Sequence, residues 1–183
     1  TLSRAFIGKC LRFFYLPGLL MDVLKLTPEP LTSQAFEKFG EVIAVGGKPV
    51  MINEGTTERY HRLGNVSVGE GLGIMNIFRA QPRTLPMNIT MMERHPLGSQ
   101  AFLPCNDKPY LVLVCEGEKA PDPTTLKLFL AQGQGVNYQA NCWHHPLLAL
   151  DEVSDFWVVD RAGPGNNLEE TDFSKSLNIE ISL

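Results

Sequence analysis

Apolar residues in this chain fall in short runs set between turn residues, and no long stretch repeats with the period of a helix. Glu41–Val45 precedes Gly46–Gly47, and Ile74–Ala80 precedes Gln81–Pro82. Leu126–Ala131 leads into Gly133 and Gly135, and Asp155–Asp160 into Gly163–Pro164. Runs of this length bounded by Gly and Pro are strand signals. Met87–His95 alternates in part, with Ile89, Met91 and Glu93 set against Asn88, Thr90 and Met92, and it stops at Pro96. Tyr110–Cys115 is apolar throughout, which predicts a strand buried on both faces. One short helix is expected, with Thr32 or Ser33 as N-cap, Ala35, Phe36 and Phe39 on one face and Gly40 as the stop. The pattern predicts an all-β fold: a small antiparallel β-barrel or jelly roll with one or two short peripheral helices. Closing the sheet also removes exposed strand edges.

At 183 residues, 44% apolar and 20% charged, the chain is long enough for one domain with its own core and is too apolar for a disordered polymer. Net charge is −4. Thr1–Leu20 holds Arg4, Lys9 and Arg12 and no acid, so the rest is more acidic than the total suggests. An acidic body repels phosphate backbones, which excludes nucleic acid as a partner. Cys10, Cys105, Cys115 and Cys142 form no CxxC pair, so they read as reduced thiols of a cytoplasmic protein. Lys9 and Arg12 interrupt the apolar N-terminal run, so it is neither a secretory signal nor a membrane span. An organellar transit peptide is one reading of Thr1–Leu20. An extension ahead of a true start at Met21 is the other and is preferred. The expected domain is therefore 21–183, with 1–20 outside it.

The candidate chemistry lies in four histidines and four arginines. His61 stands in a charged run and reads as solvated. His95 closes Glu93-Arg94-His95 at a strand end, and His144–His145 follow Trp143. Strand side chains alternate between faces, so Glu93 and His95 share one face and Arg94 takes the other. If His144 and His145 lie in a strand, the same rule allows at most one of them to face an interior. Arg59, Arg79, Arg94 and Arg161 are the candidate carboxylate clamps, because a guanidinium grips a carboxylate through two parallel hydrogen bonds. Gly69-Glu70-Gly71-Leu72-Gly73 lacks the strand–turn–helix setting of a dinucleotide loop and reads as a hairpin turn.

Glu93-Arg94-His95-Pro96-Leu97-Gly98-Ser99-Gln100-Ala101-Phe102 resembles the signature segment of the bacterial ureidoglycolate lyases of allantoin degradation. Arg79-Ala80-Gln81-Pro82, Gly135–Tyr138 running to Trp143–Leu147, and Asp155-Phe156 with Asp160-Arg161 agree with it, in order, as do the opening from Leu24 to Ile43 and Glu58–His61. The resemblance implies a cupin fold, a homodimer, and cleavage of (S)-ureidoglycolate to glyoxylate and urea. It implies a divalent ion, nickel in particular, with His95 and one of His144 and His145 as its ligands (His145 is preferred), and no organic cofactor. Leu97 stands where a cupin often has a second histidine, and Gln100 stands near the usual glutamate. Both departures weaken the expected ligand set.

The substrate is a carbinolamide, so its lysis needs a base, an acid and a cation for the carboxylate. Catalytic roles fall to His95, Glu93, His145 and His144, with His95 or His145 as base. Substrate contacts fall to Arg79, Arg94, Gln100, Arg59 and Arg161, with Gln100 reading the ureido amide. If Glu93 points inward, Arg79 is preferred over Arg94 as clamp. The competing readings are a metal-dependent cupin isomerase or dioxygenase, a non-enzymatic cupin that binds a small carboxylate, and an amidohydrolase that releases ammonia.

Overall fold

The computed structural model describes residues 23–174 and 176–183. The expectation for Thr1–Leu20 lies outside the described residues.

Three sheets stack around two cores. The five-stranded sheet runs Gly40–Ile43, Gly135–Tyr138, Gln100–Pro104, Ser154–Ala162 and Leu72–Ala80, all antiparallel. The seven-stranded sheet runs Glu169–Asp172, Met91–Arg94, Trp143–His144, Pro109–Cys115, Lys127–Gln132 and Glu29–Pro30, and Leu148–Ala149 also pairs with Pro109–Cys115. Val23–Leu26, Asn178–Ile181 and Met87–Ile89 form the third sheet, and Val50–Ile52 with Thr57–Arg59 form a separate hairpin.

Pro109–Cys115 shows how one strand serves two cores. Tyr110, Val112 and Val114 pack with Phe102, Val136, Tyr138, Phe156 and Val158 of the five-stranded sheet. Leu111, Leu113 and Cys115 point the other way, onto Ile89, Met92, Ile179 and Ile181. Each large apolar side chain buried this way stabilises the fold by about 1.5–3 kcal/mol. The expectation of a strand buried on both faces therefore holds, because the seven-stranded sheet is the middle layer.

The all-β prediction holds as well, in a form open at its edges. The two larger sheets face each other across the first core, but neither strand order returns on itself. Two pairings are parallel: Val23–Leu26 with Asn178–Ile181, and Lys127–Gln132 with Glu29–Pro30. The helix is a single turn, Ser33–Phe36, capped by Thr32, whose hydroxyl accepts from the Ala35 N–H at 3.1 Å. Phe36 and Phe39 are buried as expected, but Ala35 faces solvent. The turn is too short to present a continuous stripe. Gly40 has φ of +145°, and a Cβ there would strike the Asn137 carbonyl, so only glycine fits this stop. Gly69–Gly71 forms a turn closed by Gly71 N–H to Val68 O at 2.8 Å and feeds a single strand, so it is not a hairpin.

Met87–His95 departs most from its predicted alternation. It splits at Thr90, whose carbonyl accepts from the Phe173 N–H at 2.8 Å. Met87–Ile89 pairs with Asn178–Ile181, while Met91–Arg94 pairs with Glu169–Asp172. The chain changes sheet, and the phase slips by one residue. Ile89 and Met92, three apart, both enter the second core. The slip sends Glu93 away from Met92, toward the first core.

Candidate active site

Strand register assembles the site. Glu93 lies directly opposite His144 in antiparallel pairing, and His144 lies opposite Val114, whose side chain enters the first core. Paired residues share a face, and so do residues two apart on one strand. Glu93, His95 and His144 therefore converge from two adjacent segments. One ligand atom from each lies within 4.8 Å of the other two. The His144 Nε2 to Glu93 Oε1 distance is 3.4 Å, and the rings of His95 and His144 are 5.3 Å apart. The Tyr138 ring stacks on His144 at 4.2 Å and fixes its plane.

Backbone carbonyls set the tautomers. His95 Nδ1 donates to Asn167 O at 2.6 Å, and His144 Nδ1 donates to Cys142 O at 2.9 Å. A carbonyl oxygen can only accept, so both Nδ1 atoms carry hydrogen, and the Nε2 lone pairs of the neutral rings are left bare. Both Nε2 atoms are buried and lack a hydrogen-bond partner. Two imidazole lone pairs and a carboxylate thus face one another with no N–H between them. Such a cluster needs a positive charge, either a proton or a metal cation, to be stable. The 3.4 Å approach of Glu93 to His144 becomes an ion pair only when His144 is protonated. For Glu93, burial pushes its pKa up, but the closeness of His144, with His95 and His145 nearby, outweighs burial and leaves it below the ordinary value.

Glu93 also lines an open cavity of about 550 Å³ with Phe78, Arg79, Arg83, Phe102 and Pro146. That volume suits a small ligand. Gln100 is buried at 4% exposure and pairs in register with Tyr138. Its Oε1 is a further buried atom without a partner. The remaining such atom, Asn137 Oδ1, belongs to a side chain bound to Glu41 and Asn65 on the opposite face of the strand.

The other predicted residues sit elsewhere or are otherwise engaged. His145 is buried beside the cluster but outside it. Its Nδ1 donates to Pro146 O at 2.8 Å, and burial lowers its pKa, with the Arg83 charge adding to the effect. Arg94 points away from Glu93, as alternation requires. It pairs with Glu169 at 2.6 Å and lies 4.5 Å over the Trp143 ring. Arg79 borders the cavity, but its guanidinium is held in a two-bond pair with Asp155, both at 2.8 Å. Arg161 is buried and spends its donors on Val68 O and Pro164 O, at 2.9 and 2.7 Å. Arg59 is exposed on the separate hairpin, with His61 Nδ1 at 2.8 Å. Leu97 is half exposed, so no donor replaces the missing histidine there.

Three contributors escaped the sequence reading. Arg83, at the cavity rim, has no side-chain hydrogen bond or ion pair to another described residue. It follows directly on Gln81–Pro82, a turn at a strand end, which was its one available signal. Tyr138 and Asp160 lie inside segments already singled out, but only the register shows what they touch. Among the described residues Cys105, Cys115 and Cys142 are free thiols, and no helix is long and apolar enough to cross a membrane.

Residues 23–180 match the sequence profile of a family described as ureidoglycolate lyase. A protein of Brucella melitensis named ureidoglycolate lyase is 54% identical over 158 residues, covering 84% of this chain and 93% of the relative. One of Burkholderia mallei with the same name is 52% identical over 156 residues, covering 83% and 91%. Ureidoglycolate lyase 1 of Rhizobium meliloti is 52% identical over 158 residues, covering 84% and 92%.

Proposed function

This chain belongs to the ureidoglycolate lyase family, and we propose that it cleaves (S)-ureidoglycolate to glyoxylate and urea in the cavity that Glu93 lines. The observation that carries the reading is the convergence of Glu93, which lines that cavity, with His95 and His144, whose buried Nε2 atoms have no hydrogen-bond partner. The reaction removes the proton from the carbinol hydroxyl, breaks the C–N bond as the C=O forms, and returns a proton to the departing urea nitrogen. No water is consumed.

The donor set fits a divalent cation: two imidazole nitrogens already stripped of hydrogen, one carboxylate oxygen, and Nδ1–H groups held by carbonyls. His95 Nε2, His144 Nε2 and Glu93 Oε1 would hold it. Such an ion would polarise the hydroxyl of the substrate and ease its deprotonation. His145 is the proton carrier. Burial lowers its pKa and so favours the neutral ring, and its Nδ1–H is spent on Pro146 O, which leaves the Nε2 lone pair to act as base. Nε2 takes the hydroxyl proton and later returns it to the urea nitrogen. Arg83 at the rim clamps the carboxylate. The functional unit is a homodimer and works in the cytoplasm. The apolar outer face of Leu72–Ala80 and Ser154–Ala162 is the contact surface.

The test is product analysis on the purified full-length chain. Glyoxylate and urea should appear in equal amounts, without ammonia. His145→Asn should lower kcat by about 10²–10⁴-fold, the usual worth of a proton-transfer group. One divalent ion per chain should survive dialysis, be lost in His144→Asn and be kept in His145→Asn. Ammonia as product makes the chain an amidohydrolase and defeats the reading. Near-normal turnover of His145→Asn removes that residue from the mechanism.

A further inference from the structure

The scheme above leaves the buried Gln100 Oε1 without a partner. A primary amide can present either its carbonyl or its NH2 group, and the environment of Gln100 allows one orientation. Gln100 Nε2 donates to Asp160 Oδ2 at 3.3 Å. The other oxygen of Asp160, Oδ1, accepts from the Arg161 N–H at 2.6 Å. A carboxylate anchored on a backbone N–H accepts and does not donate, so the NH2 end must turn to Asp160 and the C=O end away from it. Gln100 is in register with Tyr138, and Tyr138 stacks on His144. The free carbonyl oxygen is thus on the sheet face that carries the Glu93–His95–His144 cluster. An acceptor sealed from water calls for an N–H donor from a ligand.

We propose that Asp160 is a positioning residue that locks Gln100 as the acceptor for a ureido N–H, so that the site selects small acids carrying a carbamoylated nitrogen over acids without one. This rests on the lyase reading and extends it: the ureido end lies at Gln100, and the carboxylate end lies toward Arg83. Glyoxylate, which has no N–H, gains nothing from Gln100. Discrimination resides in a hydrogen bond whose absence leaves a buried group unpaired, which is the stronger form of selectivity.

The experiment is calorimetric binding to the full-length chain, with two stable probes. N-carbamoylglycine carries the ureido group, and glycolate does not. Wild type should bind N-carbamoylglycine at least about tenfold more tightly than glycolate. In Asp160→Asn the new amide can donate as well as accept, so Gln100 can turn its NH2 inward. The preference should fall to about twofold, while glycolate affinity and the thermal midpoint hold. Adding Gln100→Glu to Asp160→Asn should restore the preference, because the carboxylate accepts from Asn and offers its second oxygen inward. Parallel loss of both affinities would make Asp160 merely structural and overturn the proposal. So would an unchanged preference, an unrescued double variant, or a wild type that does not favour the ureido acid. Because binding is read without turnover, a chain that favours N-carbamoylglycine but releases no glyoxylate from ureidoglycolate defeats the lyase reading alone.

Discussion

Arg79 and Arg83 are four residues apart, and the contrast between them is one of commitment. Both line the cavity, but Arg79 is locked to Asp155 by two 2.8 Å bonds, whereas Arg83 has no side-chain partner among the described residues. A guanidinium already spent on a carboxylate must break that pair before it can grip another. Arg83→Gln should therefore raise KM about tenfold with a smaller effect on kcat, and Arg79→Gln should leave KM within about twofold. Steady-state kinetics on the two variants checks this, and the reverse ranking would restore Arg79 as the clamp. The histidines repay the same attention to partners. His144 and His145 are chemically equal in the sequence, but His144 faces Glu93 across the ladder while His145 turns to Pro146.

At the level of elements, Met91–Arg94 delivers opposite chemistry to its two faces. Glu93 enters the cavity, while Arg94 goes to Glu169 and the Trp143 ring and so ties Glu169–Asp172 to the strand beneath it. Arg94 is 12% exposed but Glu169 is 43% exposed, so solvent screens part of the pair. Arg94→Met should cost about 1–3 kcal/mol, discounted from a fully buried pair, and lower Tm by several degrees, about 2–4 °C per kcal/mol at this size. KM should stay at its wild-type value. Thermal melts with kinetics on the same preparation decide it, and a raised KM at unchanged Tm would return Arg94 to substrate binding. Alternation made Glu93 and Arg94 point apart already in the sequence. The break at Thr90 was not legible there, because it follows from a change of partner strand and not from any local breaker.

For the whole molecule, the open edge matters most. Leu72–Ala80 is nine residues long and among the described residues pairs on one side only. Its outer face carries Met75 and Ile77, and Trp157 lies opposite Ile77 on the next strand. All three are exposed, at 67%, 49% and 46%. Long apolar edges invite pairing and are seldom left bare. The full chain should sediment as a dimer, and Met75→Glu with Trp157→Glu should yield a folded monomer. A monomeric wild type, or a dimer indifferent to both changes, removes this face from the assembly.

Several features were settled along the chain itself. Short apolar runs between Gly and Pro gave an all-β fold, the unbroken Tyr110–Cys115 run gave a strand buried twice over, and the ordered motifs from Arg79 to Arg161 gave the family. These are local or colinear signals. Which histidine joins Glu93, which arginine remains free and which end of Gln100 faces inward were decided by contacts between distant segments, such as the pairing of Glu93 with His144 and the bond from Gln100 to Asp160, 60 residues away. Register and sheet exchange arise only once distant segments share a hydrogen-bond ladder. The same residue types in the same order would give a different site if a strand slipped by one position.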